Sequence, residues 1–308
     1  MRPDLLQIGL FPAFVQEMID ARFQCHDWAV VQGCSRLRGR IRGIITRSNC
    51  DVPEAVFGLL PHLGVIVTYG VGYHQIPVEL ARHKGVLVAH TPGVLERTVA
   101  EFTLGLTLAL LHRIPAADQY VRSGQWRRSE MPLGTGLVGK AVGIFGLGRL
   151  GKEIARCFGG LGVDLAYHGR TRQAVALRYE ASLRDLARRS DILILAAPGS
   201  AQTWHSVDAE VLAALGPSGY LVNVARGSIV DEEALLHALG SGGIAGAALD
   251  VFANEPEIDP RFLAHENAVL TPHIGSAVFE TRRAMAQLVL DNLSLFFREG
   301  TVLTPVPA

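Results

Sequence analysis

One stretch limits what this chain can become: Lys140-Ala-Val-Gly-Ile-Phe-Gly-Leu-Gly-Arg-Leu-Gly151. Residues 141–145 read as a short buried strand. Gly146, Gly148 and Gly151 follow, and a helical pattern begins at once with Ile154, Ala155, Cys157, Phe158 and Leu161. A strand that enters a glycine-rich turn and opens a helix is the context that gives Gly-x-Gly-x-x-Gly its meaning. Gly146 permits the tight turn, Gly148 lets backbone amides approach a pyrophosphate, and Gly151 lets helix and strand pack closely. The helix N-terminus, at Arg149 and Leu150, offers unpaired N–H groups to phosphate oxygens. Without that context the glycines would be an ordinary turn; with it, the stretch predicts a dinucleotide site.

The rest of the composition narrows the setting. A chain of 308 residues fits two domains better than one. Lys plus Arg number 29 and Asp plus Glu 29, so the net charge is zero. A nucleic-acid partner would call for a basic footprint and is not expected. The longest apolar run, 102–111, is too short to span a bilayer and sits between Glu101 and His112. No signal peptide is visible, because Met1-Arg-Pro-Asp4 leads straight into a strand-like segment. Cys25, Cys34, Cys50 and Cys157 have neither Cys-x-x-Cys spacing nor nearby paired histidines. The expectation is no metal, idle thiols and a reducing, cytoplasmic setting.

Read in order, residues 1–94 alternate apolar runs with helical stretches. Strands are expected over 5–10, 41–46, 65–69 and 86–89, with helices over 13–21, 53–60 and 78–84. That alternation means βαβ units and a parallel sheet. A long helix follows over 97–112, extending as far as 123 on the same pattern. Its centre is apolar nearly all round (Phe102, Leu104, Leu106, Leu108, Leu110, Leu111), so it must be covered on all sides, as an interdomain strut, a subunit interface or both. Beyond the glycine stretch, strands are expected over 164–168, 192–196, 220–224, 245–251 and 269–271. Helices are expected over 183–189, 231–239 and 280–298. The tail 302–306 is too short for a domain and is expected to rejoin the N-terminal one. The fold class is α/β: two Rossmann-like doubly wound parallel-sheet domains with the active site in the cleft between them. The expected division is a discontinuous substrate-binding domain, 1–95 plus 285–308, and a dinucleotide-binding domain, 96–284.

The second strand of the nucleotide domain tells which dinucleotide. An NAD site places a carboxylate there, about 20 residues past the glycines, on the ribose 2′-hydroxyl. Here the strand ends in Tyr167-His-Gly-Arg-Thr-Arg172, and Asp164 falls at its start. Arg170, with Arg172 the weaker candidate, would meet a 2′-phosphate alongside the Thr171 hydroxyl and His168, and the missing carboxylate removes a repulsion. NADP(H) is the preferred cofactor, with NAD(H) admitted.

Three strand ends supply chemistry suited to hydride transfer onto a 2-oxo acid. Such a reaction needs a cation for the carboxylate and carbonyl, an acid for the oxygen, and a group that keeps the acid charged. Arg226 follows the strand in Tyr220-Leu-Val-Asn-Val-Ala-Arg-Gly227. Asp250 and Glu255 lie in Ala248-Leu-Asp-Val-Phe-Ala-Asn-Glu-Pro256. His273 follows the last strand in Leu270-Thr-Pro-His-Ile-Gly275. A histidine bonded to a glutamate gains a raised pKa and one tautomer. Singly, each residue has a plainer reading: a helix-start charge, a solvated loop acid, a satisfied histidine beside a proline. Behind a dinucleotide fingerprint their convergence favours chemistry, because open α/β sheets bind ligands outside the carboxyl ends of their strands.

These segments resemble the D-isomer-specific 2-hydroxyacid dehydrogenases. The resemblance is carried by Tyr69-Gly-Val-Gly72, His90-Thr-Pro-Gly-Val94, Val99-Ala-Glu101, the glycine stretch, Val222-Asn-Val-Ala-Arg-Gly-Ser-Ile-Val-Asp-Glu-Glu233, Leu249-Asp-Val-Phe252 with Glu255-Pro256, and Thr271-Pro-His-Ile-Gly-Ser276. It implies His273 as general acid/base, Glu255 as its orienting partner and Arg226 as a substrate-binding, catalytic cation. It implies that the amides of Val71 and Gly72 hold the substrate carboxylate. It also implies that Asp250 faces the nicotinamide carboxamide and that the helix near 97–112 builds a homodimer. The implied cofactor set is Gly146, Gly148, Arg149, Leu150 and Gly151, then His168, Arg170 and Thr171, with Ala197, Pro198, Thr203, Val224, Ala225, Asp250, His273 and Gly275. The Gly-Arg-Thr turn resembles that of NADPH-dependent glyoxylate/hydroxypyruvate and 2-ketogluconate reductases.

Three departures stand out. His74 occupies a position where Asp is common, and Val278 one where Thr is frequent. Pro198-Gly-Ser-Ala-Gln-Thr203 replaces the usual Pro-Leu-Thr-Pro-Glu-Thr beside the expected adenine and ribose site. The expected activity is reduction of a small 2-oxo acid to its D-2-hydroxy acid. A rival is a nucleotide-sensing scaffold or corepressor of the same fold, disfavoured by the intact Arg226, Glu255 and His273. An enzyme acting on formate or phosphite is a second rival, disfavoured by the NADP-type turn. Tyr69, Leu95, Trp126 and Met285 are candidates for the pocket wall, with core or interface as the alternative.

Overall fold

Short β-branched runs between helical stretches produce two parallel sheets, seen in a computed structural model that describes residues 2–307. The chain forms two compact units, Met1–Leu95 with Val278–Ala308, and Glu96–Ala277.

The first unit runs β1 (Asp4–Gln7), α1 (Ala13–Asp20), β2 (Gln24–Asp27), α2 (Trp28–Gly33), α3 (Ser35–Arg38), β3 (Gly43–Arg47), α4 (Val56–Leu59), β4 (Val65–Tyr69), α5 (Val78–His83) and β5 (Leu87–Ala89). All five strands are parallel, in the order β2-β1-β3-β4-β5. The strand β2 has no counterpart among the sequence expectations. Gln-Cys-His-Asp has no apolar run, because an edge strand need not be buried. It is held instead by polar groups: buried Asp4 binds His26 Nε2 at 2.7 Å and Arg40 at 2.6 Å.

The second unit runs α6 (Glu96–Leu111), α7 (Ile114–Arg122), β6 (Ala141–Phe145), α8 (Arg149–Phe158), β7 (Asp164–His168), β8 (Arg178–Tyr179), α9 (Leu183–Arg189), β9 (Ile192–Leu195), α10 (Ala209–Leu215), β10 (Tyr220–Asn223), α11 (Glu232–Ser241), β11 (Gly246–Leu249) and β12 (Ala268–Leu270). Its seven parallel strands lie in the order β12-β11-β10-β9-β6-β7-β8. The chain therefore moves outward from β6, then returns to β9 on the other side of β6. That reversal is the topological switch point where doubly wound sheets bind ligands. Helices α9, α10 and α11 start on Ser182, Asp208 and Asp231, whose side chains accept N–H bonds from Asp185, Val211 and Ala234. Leu193, Leu195, Leu221, Ala247 and Leu249 of the sheet are buried in the core.

The long helix is interrupted. It ends at Leu111, Arg113 adopts a left-handed φ of 55°, and Pro115 opens α7. Proline has no N–H to continue the ladder, and Thr135 N–H takes the freed Leu111 carbonyl at 2.8 Å. Nor is α6 covered on all sides within its unit. Leu106, Leu110 and Leu111 are buried, while Leu104 and Leu108 are half-buried and line an apolar hollow with His112, Leu137, Val138 and Leu161.

The chain then re-enters the first unit through α12 (Phe279–Glu299). Met285, Val289, Leu290, Leu293 and Phe296 pack with Leu5, Ile45, Val65 and Val67. The helix is continuous from Phe279, so the junction falls at 277/278 rather than 284/285. The tail is stapled by buried Asn292. Its Oδ1 accepts N–H bonds from Leu303 and Thr304, and its Nδ2 donates to Thr304 Oγ1. Pro305 bridges Ala89 in antiparallel fashion, at the edge of β5. Met285 and Tyr69, candidates for a pocket wall, are 1% and 3% exposed and belong to this core; Leu95 packs against it, and Trp126 of the second unit is exposed. No helix among the described residues is long and apolar enough to cross a membrane.

Candidate active site

The glycine turn is built as the sequence requires. Gly146 has a φ of +98°, and a Cβ there would lie 2.6 Å from the Ala197 backbone. A Cβ at Gly151 would lie 2.0 Å from Gly146 O, so only glycine lets α8 sit this close to β6. Gly148 differs: its φ is −77° and its Cβ would stand in open space. The first amides of α8, at Arg149 and Leu150, are thus left accessible to a phosphate, which is the fit a dinucleotide needs.

Beyond β7, Arg170, Thr171 and Arg172 are exposed, and neither guanidinium has a hydrogen bond or ion pair among the described residues. Gln173 beside them bonds Leu147 O in the glycine turn at 2.7 Å. His168 is partly committed to the fold: its Nδ1 meets Glu180 O at 2.9 Å, and its ring stacks with Phe145 and Tyr179. After β9, Ala197 is buried and Pro198 exposed. Thr203 Oγ1 is used internally, accepting from Ser200 N and donating to Pro198 O.

The turn after β10 carries Arg226. Fully buried Asn223 shapes it: its Oδ1 accepts from Ala225 N, and its Nδ2 donates to Arg226 O, both at 3.0 Å. Val224 and Ala225 are buried beside it. Arg226 donates to Ala225 O at 2.5 Å and has no carboxylate partner among the described residues. Burial pushes its pKa below the usual arginine range, opposed by the negative charge of Glu255. A largely desolvated cation with no carboxylate bonded to it is suited to an anionic ligand.

Glu255 and His273 form the dyad that the sequence suggested. His273 Nδ1 lies 2.6 Å from Glu255 Oε2, while Glu255 Oε1 accepts the Phe252 N–H at 3.0 Å. Burial raises the Glu255 pKa, but the His273 and Phe252 hydrogen bonds and the charges of His273 and Arg226 outweigh it and bring it below the usual carboxylate range. An ionised Glu255 fixes the proton on Nδ1 and leaves Nε2 free for chemistry. The two loops meet because Gly227 carries no side chain: a Cβ would lie 1.8 Å from Phe252 C.

Asp250 lies at the end of β11 and is 2% exposed. Its Oδ1 accepts from Thr271 Oγ1 at 2.7 Å and Ile274 N at 2.8 Å, and its Oδ2 accepts from Gly275 N at 2.8 Å. In the fold it therefore staples the loop that carries His273. Sequence reasoning also passed over Asn223 and Glu232. Glu232 Oε1 accepts the Ala253 N–H at 2.8 Å next to the Glu255 loop. Both residues stood within the segment 222–233, but nothing there marked either side chain as a loop staple.

In the first unit, Val71 and Gly72 follow β4. Neither amide N–H has an acceptor among the described residues, while Val71 O lies 3.0 Å from His90 Nδ1 and Thr91 N–H donates to Gly70 O at 2.9 Å. No His, Cys, Asp or Glu cluster suited to a metal ion occurs among the described residues.

Residues 104–275 match the family model for the NAD-binding domain of D-isomer-specific 2-hydroxyacid dehydrogenases. The chain is 40% identical over 306 residues to a 2-ketogluconate reductase of Gluconobacter oxydans, covering 99% of both chains. It is 43% identical over 270 residues to a glyoxylate/hydroxypyruvate reductase A of Arabidopsis thaliana, covering 87% of this chain and 86% of the relative. Among solved structures it is similar to an NADPH-dependent glyoxylate/hydroxypyruvate reductase of Sinorhizobium meliloti in complex with NADP and malonate. There the TM-score is 0.92 at 41% identity, over 99% of this chain and 97% of that one. With a Rossmann-type sheet, a glycine turn and a His–Glu pair near a half-buried arginine, the chain belongs to the D-isomer-specific 2-hydroxyacid dehydrogenases.

Proposed function

We propose that this protein is an NADPH-preferring reductase that converts a small 2-oxo acid of the glyoxylate or hydroxypyruvate kind to its D-2-hydroxy acid. The observation that carries this reading is a desolvated, unpaired Arg226 beside the His273–Glu255 dyad. The names of the relatives, all reductases of 2-oxo acids or sugar acids, support it. Two unpartnered guanidiniums at the end of β7, and the NADP held by the Sinorhizobium relative, support the cofactor.

The bound dihydronicotinamide supplies the hydride. Arg226 binds the substrate carboxylate and polarises the ketone oxygen, a task for a rigid, planar, always-charged fork. The amides of Val71 and Gly72 are its proposed helpers at the carboxylate. His273 delivers a proton from Nε2 to the oxygen as negative charge develops there, and Glu255 holds the ring aligned through Nδ1. Asp250 keeps that histidine in place. The remaining cofactor contacts are those the resemblance implies, from Gly146 to Gly151 and at Ala197, Pro198, Val224, Ala225 and Gly275. The first unit is assigned as the substrate-binding domain and the second as the dinucleotide domain. The half-covered face of α6 supports a homodimer, and the four free cysteines support a cytoplasmic setting.

Substituting His273→Ala tests the assignment. Turnover is expected to fall about 100- to 10,000-fold while NADPH affinity, read by fluorescence titration, stays within about twofold. Retained turnover would remove His273 from the chemistry.

A further inference from the structure

Residues 169–177 form an arch between β7 and β8, and its outer part carries Arg170, Thr171 and Arg172. Nothing ties these three side chains down among the described residues, so their placement depends on the arch itself. Besides a longer bond from Tyr179 Oη to Gly169 O at 3.4 Å, Gln173 holds the arch through two short bonds. Its Nε2 donates to Leu147 O at 2.7 Å, the carbonyl between the first two fingerprint glycines. Its backbone N–H donates to Tyr167 Oη, also at 2.7 Å, and Tyr167 is fully buried on β7. Next to this clasp, Gly146 N–H donates to His168 O at 2.8 Å, and a Cβ at Gly169 would come within 3.9 Å of Leu147 N. The arch and the glycine turn are thereby locked to each other through one side-chain amide.

We propose that Gln173 is a positioning residue for cofactor choice, holding Arg170 and Thr171 at a fixed distance from the pyrophosphate turn. The inference rests on the assignment of Arg170 and Thr171 to the 2′-phosphate. A cofactor bound at its pyrophosphate presents its 2′-phosphate at one place only. An arch already held in register meets that phosphate without being ordered first, and preorganisation of this kind is realised as affinity. NADH lacks the 2′-phosphate and gains nothing from the arch. Gln173 thus discriminates between the two cofactors without touching either.

The test uses Gln173→Leu and Gln173→Met, which keep the bulk of the side chain and remove its donor, in the full-length protein. Dissociation constants for NADPH and NADH are measured by fluorescence titration, and kcat is measured with glyoxylate. Both variants are expected to weaken NADPH about 5- to 10-fold, the scale of one lost hydrogen bond, with NADH affinity and kcat unchanged. Equal weakening of both cofactors, or no weakening of NADPH in either variant, overturns the proposal. Arg170→Ala separates the two layers of the argument. If it weakens NADPH while Gln173→Leu does not, the positioning role alone falls; if it leaves NADPH unchanged, the 2′-phosphate assignment falls and takes the positioning role with it.

Discussion

His273 has a φ of 55°, a left-handed conformation rare for a residue with a side chain. Such a conformation costs about 1–3 kcal/mol and persists where its surroundings over-determine it. Asp250 does so with three bonds to Thr271, Ile274 and Gly275, and Glu255 fixes the ring. The dyad has a pH signature. With its pKa held below the unfolded value of about 4.3, Glu255 stabilises the fold fully above that value and loses the contribution as pH falls through its native pKa. The side chain is part-exposed, so after screening the effect stays within about 1 kcal/mol. The difference in urea midpoint between the native protein and Glu255→Gln should be constant above about pH 5.5 and shrink toward pH 3. A difference that stays constant down to pH 3 would mean that Glu255 is not held ionised by its partners.

At the level of elements, the unit β6–turn–α8 separates glycines needed by the fold from the one needed by a ligand. Gly151 meets a backbone carbonyl that cannot move without the turn, whereas Gly148 has ordinary backbone angles and free space. Gly151→Ala should lower stability by about 1–3 kcal/mol in urea unfolding through overpacking. Gly148→Ala should leave the urea midpoint unchanged and weaken NADPH binding, because its methyl group occupies the approach to the α8 amides. Loss of stability in Gly148→Ala, or none in Gly151→Ala, would reverse this division. The same element explains what could be read in advance. Ile-Ile-Thr in β3, Val-Ile-Val in β4 and Ile-Leu-Ile-Leu in β9 are apolar on both faces and announced buried parallel strands. The two-residue β8 and the polar β2 lie at sheet edges, where no hydrophobic period is imposed. The end of α6 at Leu111 was hidden because the amide that takes its carbonyl, Thr135, lies 24 positions along the chain.

For the whole molecule, the candidate trio was legible because each member lies in the loop that follows a strand, and parallel sheets gather strand ends at one edge. The loop-stapling work of Asp250, Asn223 and Gln173 was not, since a side chain's partner depends on three-dimensional contacts that spacing does not encode. The apolar surface is also a property of the whole. Leu104 and Leu108 are half-buried, and Leu133 and Val138 in the following loop are 95% and 82% exposed. Val138 lines one hollow with Leu104 and Leu108, and apolar surface of this kind is characteristic of interaction sites. Sedimentation should show a dimer, and Leu108→Glu should shift it toward monomer; a monomeric native protein at micromolar concentration would contradict the homodimer.

NADPH oxidation with a panel of 2-oxo acids, with NADH assayed in parallel and the product resolved by chirality, decides whether the protein is a 2-oxo acid reductase. Turnover is expected with glyoxylate or hydroxypyruvate, with a higher kcat/KM for NADPH than for NADH and a D-configured product wherever the product is chiral. NADPH binding without oxidation by any 2-oxo acid would contradict that activity.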